Sequence, residues 1–152
     1  MISALAAAAL ALTVQTDAPR LNADSTLAII EGCKAYAEEN ELAVAIAVLD
    51  DRLKMAGYLR MDGVRQGPAD LAVKKAEYVA SWGHETKVLA EAVGEGRLGW
   101  AMTTGGPSVE GGVPVYSDGV LLGSVGVSGA PAVEDAKCAR AGIEKAGLRD
   151  SR

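Results

Sequence analysis

The chain has 152 residues, a net charge of −5 and a hydrophobic fraction of 49%, which together describe one acidic globular domain with enough chain to bury a core. Its 15 Lys and Arg against 20 Asp and Glu exclude the broad phosphate-neutralising surface that general nucleic-acid binding needs. A single His, His84, excludes metal sites that need two histidines of one chain, the HExxH zinc site among them. Because there is no Phe, Ala and Val must fill much of the core.

The chain opens with an apolar run from Ile2 to Val14. The run is shorter than the roughly 20 residues that span a bilayer, and it is close in length to the core of a signal peptide. No Lys or Arg precedes it, and Thr16-Asp17-Ala18 is a poor cleavage site. We therefore expect residues 1–20 to form a retained Ala-rich helix that packs on the domain or on a neighbouring subunit of a cytoplasmic protein. The alternative is an export signal.

The first half of residues 21–152, the predicted domain, reads as a helix, a hairpin and two further helices. Capping side chains at 22–25 precede helical spacing and predict a helix over 24–40. Two β-prone runs, 44–49 and 55–60, are separated by a short turn and predict a β-hairpin. Helical spacing returns from 71 to 82, and a short helix is expected over 86–93.

The second half reads as three strands and a helix. Leu98–Thr103 looks like a strand, and runs at 113–116 and 120–127 flank an Asp118-Gly119 pair, which is a strong hairpin turn signal. A last helix over 132–146 precedes Gly147, a helix terminator. Adjacent hairpins argue for an α+β domain with an antiparallel sheet and helices to one side.

The two cysteines, Cys33 and Cys138, stand 105 positions apart. This spacing fits neither CxxC redox chemistry nor a zinc knuckle. Free Cys is among the most buried residue types, so we expect two buried thiols on packed helices rather than one long-range disulfide.

Two glycine patterns resemble cofactor-binding or catalytic motifs, but neither matches its motif in full, in sequence or in the predicted elements around it. Gly94 to Gly99 satisfies GxGxxG, but it follows a predicted helix and opens a predicted strand, whereas a dinucleotide fingerprint does the reverse. Gly126 to Ala130 misses the last position of the nucleophile elbow. A glycine-dense strand that lets backbones approach closely explains the second pattern better.

Two charged residues beside apolar elements, Arg60 and Lys75, are candidates for ligand binding. Arg60 ends the second strand, where its guanidinium could clamp a carboxylate, and a salt bridge to Asp62 or to another subunit is the alternative. Lys75 lies on an apolar helix face, so its ammonium either snorkels to solvent, which the sequence favours, or points into a pocket.

The segment His84-Glu85-Thr86 joins two predicted helices and holds the only imidazole. A neutral imidazole can act as a general base or as a metal or haem ligand, and Glu85 and Thr86 add oxygens beside it. Alternatively, Thr86 caps the following helix and His84 sits at a surface corner. The residues leave both interpretations open.

Several strings together resemble the GlcG/HbpS family, small proteins described as haem-binding or haem-degrading. The matching strings, in chain order, are Val44–Asp50, Leu59–Gly63, Lys75-Ala76, Gly111–Pro114, Gly123–Gly129 and Glu134-Asp135. The resemblance covers about residues 21–148 and leaves the apolar N-terminus outside it.

The resemblance implies a profilin-like α+β fold with a five-stranded antiparallel sheet, and a homo-oligomer that is an octamer in some members. It also implies haem as a cofactor, and Thr86 matches a threonine linked to haem binding in the family. Family members commonly have Pro before that threonine, where this chain has Glu85, and His84 is not a fixed histidine of the family.

The first functional hypothesis is an oligomer that binds haem or a related tetrapyrrole at a pocket near the middle helices. Thr86 or His84 would lie near the iron, and Arg60, Asp62 and Lys75 would surround the ligand, with Arg60 or Lys75 meeting its propionates. Its partners would be itself and a small molecule, with no nucleic acid and no membrane span.

The second hypothesis is a lyase- or isomerase-type enzyme acting on a small hydroxy or oxo acid. His84 would be the general base, Glu85 would orient the imidazole, and Arg60 would hold the carboxylate. A third hypothesis is an oligomeric partner of a neighbouring enzyme with no site of its own. Whether the protein is an enzyme stays open at this point.

Overall fold

The structure, a computed structural model, describes residues 19–152 of the chain, so the prediction for residues 1–18 lies outside the described residues. The helices are α1 (Ala23–Glu39), α2 (Gln66–Trp82), α3 (Thr86–Gly94), α4 (Leu98–Thr104) and α5 (Ala132–Lys145). The strands are β1 (Ala45–Asp50), β2 (Met55–Arg60), β3 (Gly112–Ser117) and β4 (Val120–Ser128). The predicted α+β class is confirmed.

The strands form one antiparallel sheet in the order β2-β1-β4-β3. Both predicted hairpins are present. In the β3–β4 turn, Asp118 and Gly119 have φ angles of 48° and 77°, the pair of positive values that a tight type I′ turn requires. The order places β2 at one edge of the sheet and β3 at the other.

The prediction of a fifth strand at Leu98–Thr103 is wrong, because these residues form α4. Leu98, Trp100 and Met102 alternate as they would in a strand, yet Leu98 and Met102 face solvent while Trp100 packs against a small cluster that includes Leu89. The described sheet has four strands. At the β3 edge, a single antiparallel bridge joins Tyr116 to Arg149.

Helices cover both faces of the sheet, and not one side as predicted. In β1, Ile46 and Val48 face α1 and α5, whereas Ala45 and Ala47 face α2. This two-sided burial explains why β1 reads as a continuous apolar run. At Gly126 an added Cβ would lie 2.0 Å from the carbonyl oxygen of Ala72 in α2, so the glycine-dense β4 does allow a close backbone approach.

Helices α1 and α5 cross closely and are joined by a Cys33–Cys138 disulfide, so the prediction of two free thiols is wrong. Gly32 and Gly142 form the crossing, where a Cβ on Gly32 would come within 2.8 Å of the Gly142 Cα. Small residues bring the cysteine Cα atoms to 4.5 Å, within the range of a disulfide. None of the helices in residues 19–152 is long and apolar enough to cross a membrane.

Candidate functional site

The joint between α2 and α3, which carries His84, is fixed to the edge strand β3. Gly83 ends α2 in the left-handed conformation, with a φ of 74°. The Tyr116 hydroxyl of β3 donates to the carbonyl oxygen of Gly83 at 3.1 Å, and the amide of Gly112 donates to the Thr86 hydroxyl at 3.0 Å. His84 therefore lies in a turn that is held on both sides.

The imidazole of His84 is half-buried among aromatic rings. Its Nδ1 lies 3.4 Å from the hydroxyl oxygen of Tyr78, and its ring meets Trp100 edge-on with centroids 5.4 Å apart. Burial raises the pKa of Tyr78, so this hydroxyl keeps its proton. Within residues 19–152, Nε2 of His84 has no hydrogen-bond partner, which leaves that nitrogen free for a ligand.

His84 lines a cavity of about 450 Å³, a volume within the range of small-molecule sites. Its apolar walls come from Val88, Pro114 and Tyr116. Gly83 and Ser151 also line it, and the other lining residues are charged: Glu85, Lys87, Glu91, Arg140, Asp150 and Arg152. The cavity thus combines one imidazole with three cations, three carboxylates and a modest apolar surface.

Glu85 binds Arg140, and not the neighbouring imidazole. Both oxygens of its carboxylate lie 2.6 Å from Nη2 of Arg140, while Nε of Arg140 donates to Asp150 at 2.9 Å. The structure therefore gives no support to Glu85 as the residue that orients His84. Nothing in the sequence around Arg140 or Asp150 marks them as neighbours of His84, because they lie more than 50 residues further along the chain.

Thr86 is fully buried, and its hydroxyl accepts the hydrogen bond from Gly112. It does not line the cavity at His84. The alternative that Thr86 caps α3 is wrong, because Glu85 occupies the cap position and its side chain makes no capping bond. In this placement, the Thr86 hydroxyl joins α3 to β3.

Lys75 is also fully buried, so the expectation that its ammonium snorkels to solvent is wrong. Its Nζ donates to Asp135 at 2.9 Å and to the carbonyl oxygen of Val127 at 2.7 Å. Burial lowers the pKa of Lys75 and raises the pKa of Asp135, while their mutual contact opposes both shifts. The pair connects α2 to α5 and β4 in the interior. The sequence does not mark Asp135 as the partner of Lys75, because an acid in the first turn of a helix is also what the helix dipole favours.

Arg60 and Asp62 lie at the β2 edge, where both line a cavity of about 350 Å³. Arg60 donates from Nε to the carbonyl oxygen of Val64 at 2.8 Å and from Nη1 to Gln66 at 3.0 Å. In the part of the chain that the structure describes, the alternative Arg60–Asp62 salt bridge does not form.

His84 and Arg60 belong to opposite edges of the sheet. Three strand spacings of about 4.8 Å separate β2 from β3, or about 14 Å in total. One chain therefore does not bring the imidazole and this guanidinium onto the same small acid. The described residues also contain no group of three or more His, Cys, Asp or Glu side chains placed to hold a metal ion.

Solved structures share this fold. The chain superimposes on a complex of PduOC with haem at a TM-score of 0.80 and 20% identity, over 88% of this chain and 100% of the other. It superimposes on a double mutant of HbpS from Streptomyces reticuli at a TM-score of 0.75 and 28% identity, over 93% of this chain and 97% of the other.

Comparison by sequence points to the same group of proteins. The chain is 39% identical to Protein GlcG of Escherichia coli strain K12 over 101 residues, which are 66% of this chain and 75% of GlcG. The model of a family described as "Haem degrading protein HbpS-like" matches residues 21–144. The chain therefore belongs to the HbpS-like family, as its motifs predicted.

Proposed function

We propose that this protein is an oligomeric small-ligand-binding protein that takes haem or a related tetrapyrrole in the cavity at His84. The observation that carries the proposal is the placement of the only histidine on a cavity wall with Nε2 uncommitted. A neutral imidazole is a common axial ligand of haem iron. Membership of the HbpS-like family supports the same ligand class.

The lining offers haem an iron ligand and cations, and two of its three carboxylates, Glu85 and Asp150, are already paired with Arg140. His84 would hold the iron, and Lys87, Arg140 and Arg152 provide cations for the two carboxylates. Tyr78 would fix the ring of His84 through Nδ1, since a second hydrogen bond orients a ligating imidazole. Bound haem would supply a redox-active iron, while the chain would bind it, orient it and limit its contact with water.

The Thr86 hydroxyl and the Lys75 ammonium are already occupied inside the fold. We therefore propose His84, and not Thr86, as the iron ligand. We also place Lys75 in the structural interior, away from the propionates. Arg60 and Asp62 remain candidates only for a separate subsite at the β2 edge.

A second copy of the chain would complete the site. Haem has two broad apolar faces, whereas this cavity offers few apolar walls. Trp82, two residues before His84, is 49% exposed. In the short α4, whose Trp100 meets His84, Met102 is 84% exposed and no residue is buried. We propose that these side chains pack against another copy in a homo-oligomer, as in the octamers that the family resemblance implies.

The disulfide bears on the cellular compartment. Structural disulfides form and persist in oxidising compartments and are rare in the cytosol. The Cys33–Cys138 bond therefore favours the export alternative over the cytoplasmic expectation. We propose that the protein works outside the reducing cytosol.

A spectroscopic haem titration tests the ligand, with oligomer size recorded on the same samples. Wild-type protein should bind haem saturably with a shifted Soret band, and His84→Ala should lose that shift while keeping the circular dichroism of the fold. Thr86→Val keeps the shape of the buried side chain and removes its hydroxyl, so it should lower stability and leave the Soret band in place.

Haem binding that is equal in wild type and His84→Ala would contradict the assignment of the iron ligand. If the Soret shift were lost in Thr86→Val but kept in His84→Ala, Thr86 and not His84 would be the iron ligand. Binding no tighter than to an unrelated acidic protein would overturn the proposed function.

A further inference from the structure

The last residues of the chain form a wall between two cavities. Asp150 and Ser151 line both the cavity at His84 and a neighbouring one of about 410 Å³, and Arg140 lines both as well. We call residues 149–152 the C-terminal strap. The strap and Arg140 form one side of the space beside His84.

The strap is held by few contacts. The backbone of Arg149 exchanges two hydrogen bonds with Tyr116 at the β3 edge, of 2.7 and 3.0 Å. The side chain of Asp150 accepts from Arg140, and each of these two side chains is 38% exposed. Exposed ion pairs contribute little to stability, so the Asp150 contact can exchange readily.

Arg140 is shared unequally between two carboxylates. Glu85 uses both oxygens on Nη2 and is 22% exposed, whereas Asp150 uses one oxygen on Nε. Nη1 has no hydrogen-bond partner among the described residues. Glu85 therefore anchors the guanidinium of Arg140. A third carboxylate could replace Asp150 with a smaller loss of free energy than it could replace Glu85.

We propose that Arg140 binds a carboxylate of the ligand, and that Asp150 is an internal competitor for the same guanidinium. With Nη2 held by Glu85, Nε of Arg140 would donate to the ligand carboxylate where it now donates to Asp150. A ligand carboxylate that takes the place of Asp150 would release the strap from Arg140 and open the wall between the two cavities. The inference rests on the proposed function, since it names the residue that recognises the acid groups of that ligand.

Asp150→Asn tests the competitor, because it keeps the side-chain shape and removes the charge. Full-length Asp150→Asn is titrated with haem and, separately, with haem dimethyl ester, which has no free carboxylate. We expect haem to bind about two- to fivefold more tightly than to wild type, the range set by losing one exposed ion pair. The dimethyl ester should bind wild type and variant equally.

Glu31→Gln is the matched control, because it breaks the exposed Glu31–Lys145 contact of 3.6 Å, which joins α1 to α5. It should leave both affinities unchanged. Arg140→Lys keeps the charge without the planar donors and should weaken haem binding, while leaving the dimethyl ester unaffected.

The outcomes separate the two proposals. Haem binding that needs His84 but is unchanged in Asp150→Asn overturns the strap inference and leaves the proposed function standing. Equal tightening for haem and its dimethyl ester overturns the assignment of the carboxylate to Arg140. Haem binding to Asp150→Asn but not to wild type supports the inference strongly, and binding to neither overturns both proposals.

Discussion

At the scale of single residues, the buried Lys75–Asp135 pair makes the sharpest prediction for stability. Lys75→Met removes the cation and leaves a buried carboxylate with its hydrogen bond from the amide of Ala130 but without a counter-charge. Breaking such a pair costs about 3–5 kcal/mol in the free energy of unfolding. Urea denaturation should show this loss, and the double variant Lys75→Met with Asp135→Leu should recover much of it.

The loss in Lys75→Met should depend on pH in a defined direction. Burial already raises the pKa of Asp135, and Lys75 is the main opposing charge. Without Lys75, the pKa of Asp135 in the folded protein rises further above its pKa in the unfolded chain. The variant's stability is therefore fully present below the unfolded pKa of Asp135 and is lost as pH rises through the folded pKa. Unfolding midpoints of the variant should therefore approach those of wild type in acid. A deficit that is constant from pH 4 to pH 8 would contradict this.

The hydrogen bond between Tyr36 and Glu134 gives a second prediction of how stability depends on pH. Its hydroxyl donates to Glu134 at 2.6 Å, and this hydrogen bond raises the pKa of Tyr36 above the ordinary 10.0. The contact therefore stabilises the fold below about pH 10 and is lost as pH rises through the folded pKa. In a pH titration followed by the absorbance of ionised tyrosine, Tyr36→Phe should lack one tyrosine that ionises above pH 10 in wild type. If the tyrosine lost in Tyr36→Phe titrated in wild type at the ordinary pKa of 10.0, the contact with Glu134 would not form in solution.

At the scale of elements, the disulfide should contribute much of the stability of the α1–α5 layer. Closing a loop of about 100 residues is worth about 4–5 kcal/mol in the chain-entropy model. Replacing both Cys33 and Cys138 with Ala should lower the free energy of unfolding by a comparable amount, as measured by urea denaturation. Reductant should destabilise wild type and leave the double variant unaffected. If reductant did not change the stability of wild-type protein that had been unfolded and refolded in its presence, the pairing of Cys33 with Cys138 would be contradicted.

Elements with strong local signals could be predicted from the sequence. The β1–β2 and β3–β4 hairpins followed from β-prone runs and the Asp118-Gly119 turn, and α1 followed from its Asn22 cap. Helix α4 could not, because its apolar residues alternate and mostly face solvent. Nor could the disulfide, because it depends on two glycines that bring α1 and α5 together only in the folded chain.

The candidate site shows the same division. His84 was identifiable as the only imidazole, and a cavity does lie beside it. Its neighbours Arg140 and Asp150 belong to the far end of the chain, and their approach is set by the packing of α5 and the strap. Lys75 and Thr86 were candidates for ligand binding, and the structure buries both in the interior. A sequence pattern alone does not distinguish such an interior position from a pocket.

At the scale of the whole molecule, the exposed apolar side chains of α4 test the oligomer and the site together. Met102→Glu places a charge where we propose that a second copy packs, so burying it would cost several kcal/mol. Light scattering should then show a smaller assembly than wild type, with the circular dichroism of the fold retained. Haem affinity should fall with it, because the second apolar wall of the site would be lost.

Leu27→Glu provides the control for this prediction. Leu27 is 58% exposed on α1, which packs on the opposite face of the sheet from α2. The substitution adds the same charge to another exposed apolar position, and it should change neither assembly nor haem binding. If Met102→Glu reduced the assembly but left haem affinity unchanged, one protomer would hold the whole site. If it changed neither, α4 would be a free surface, and the apolar cover for the ligand would have to come from another element.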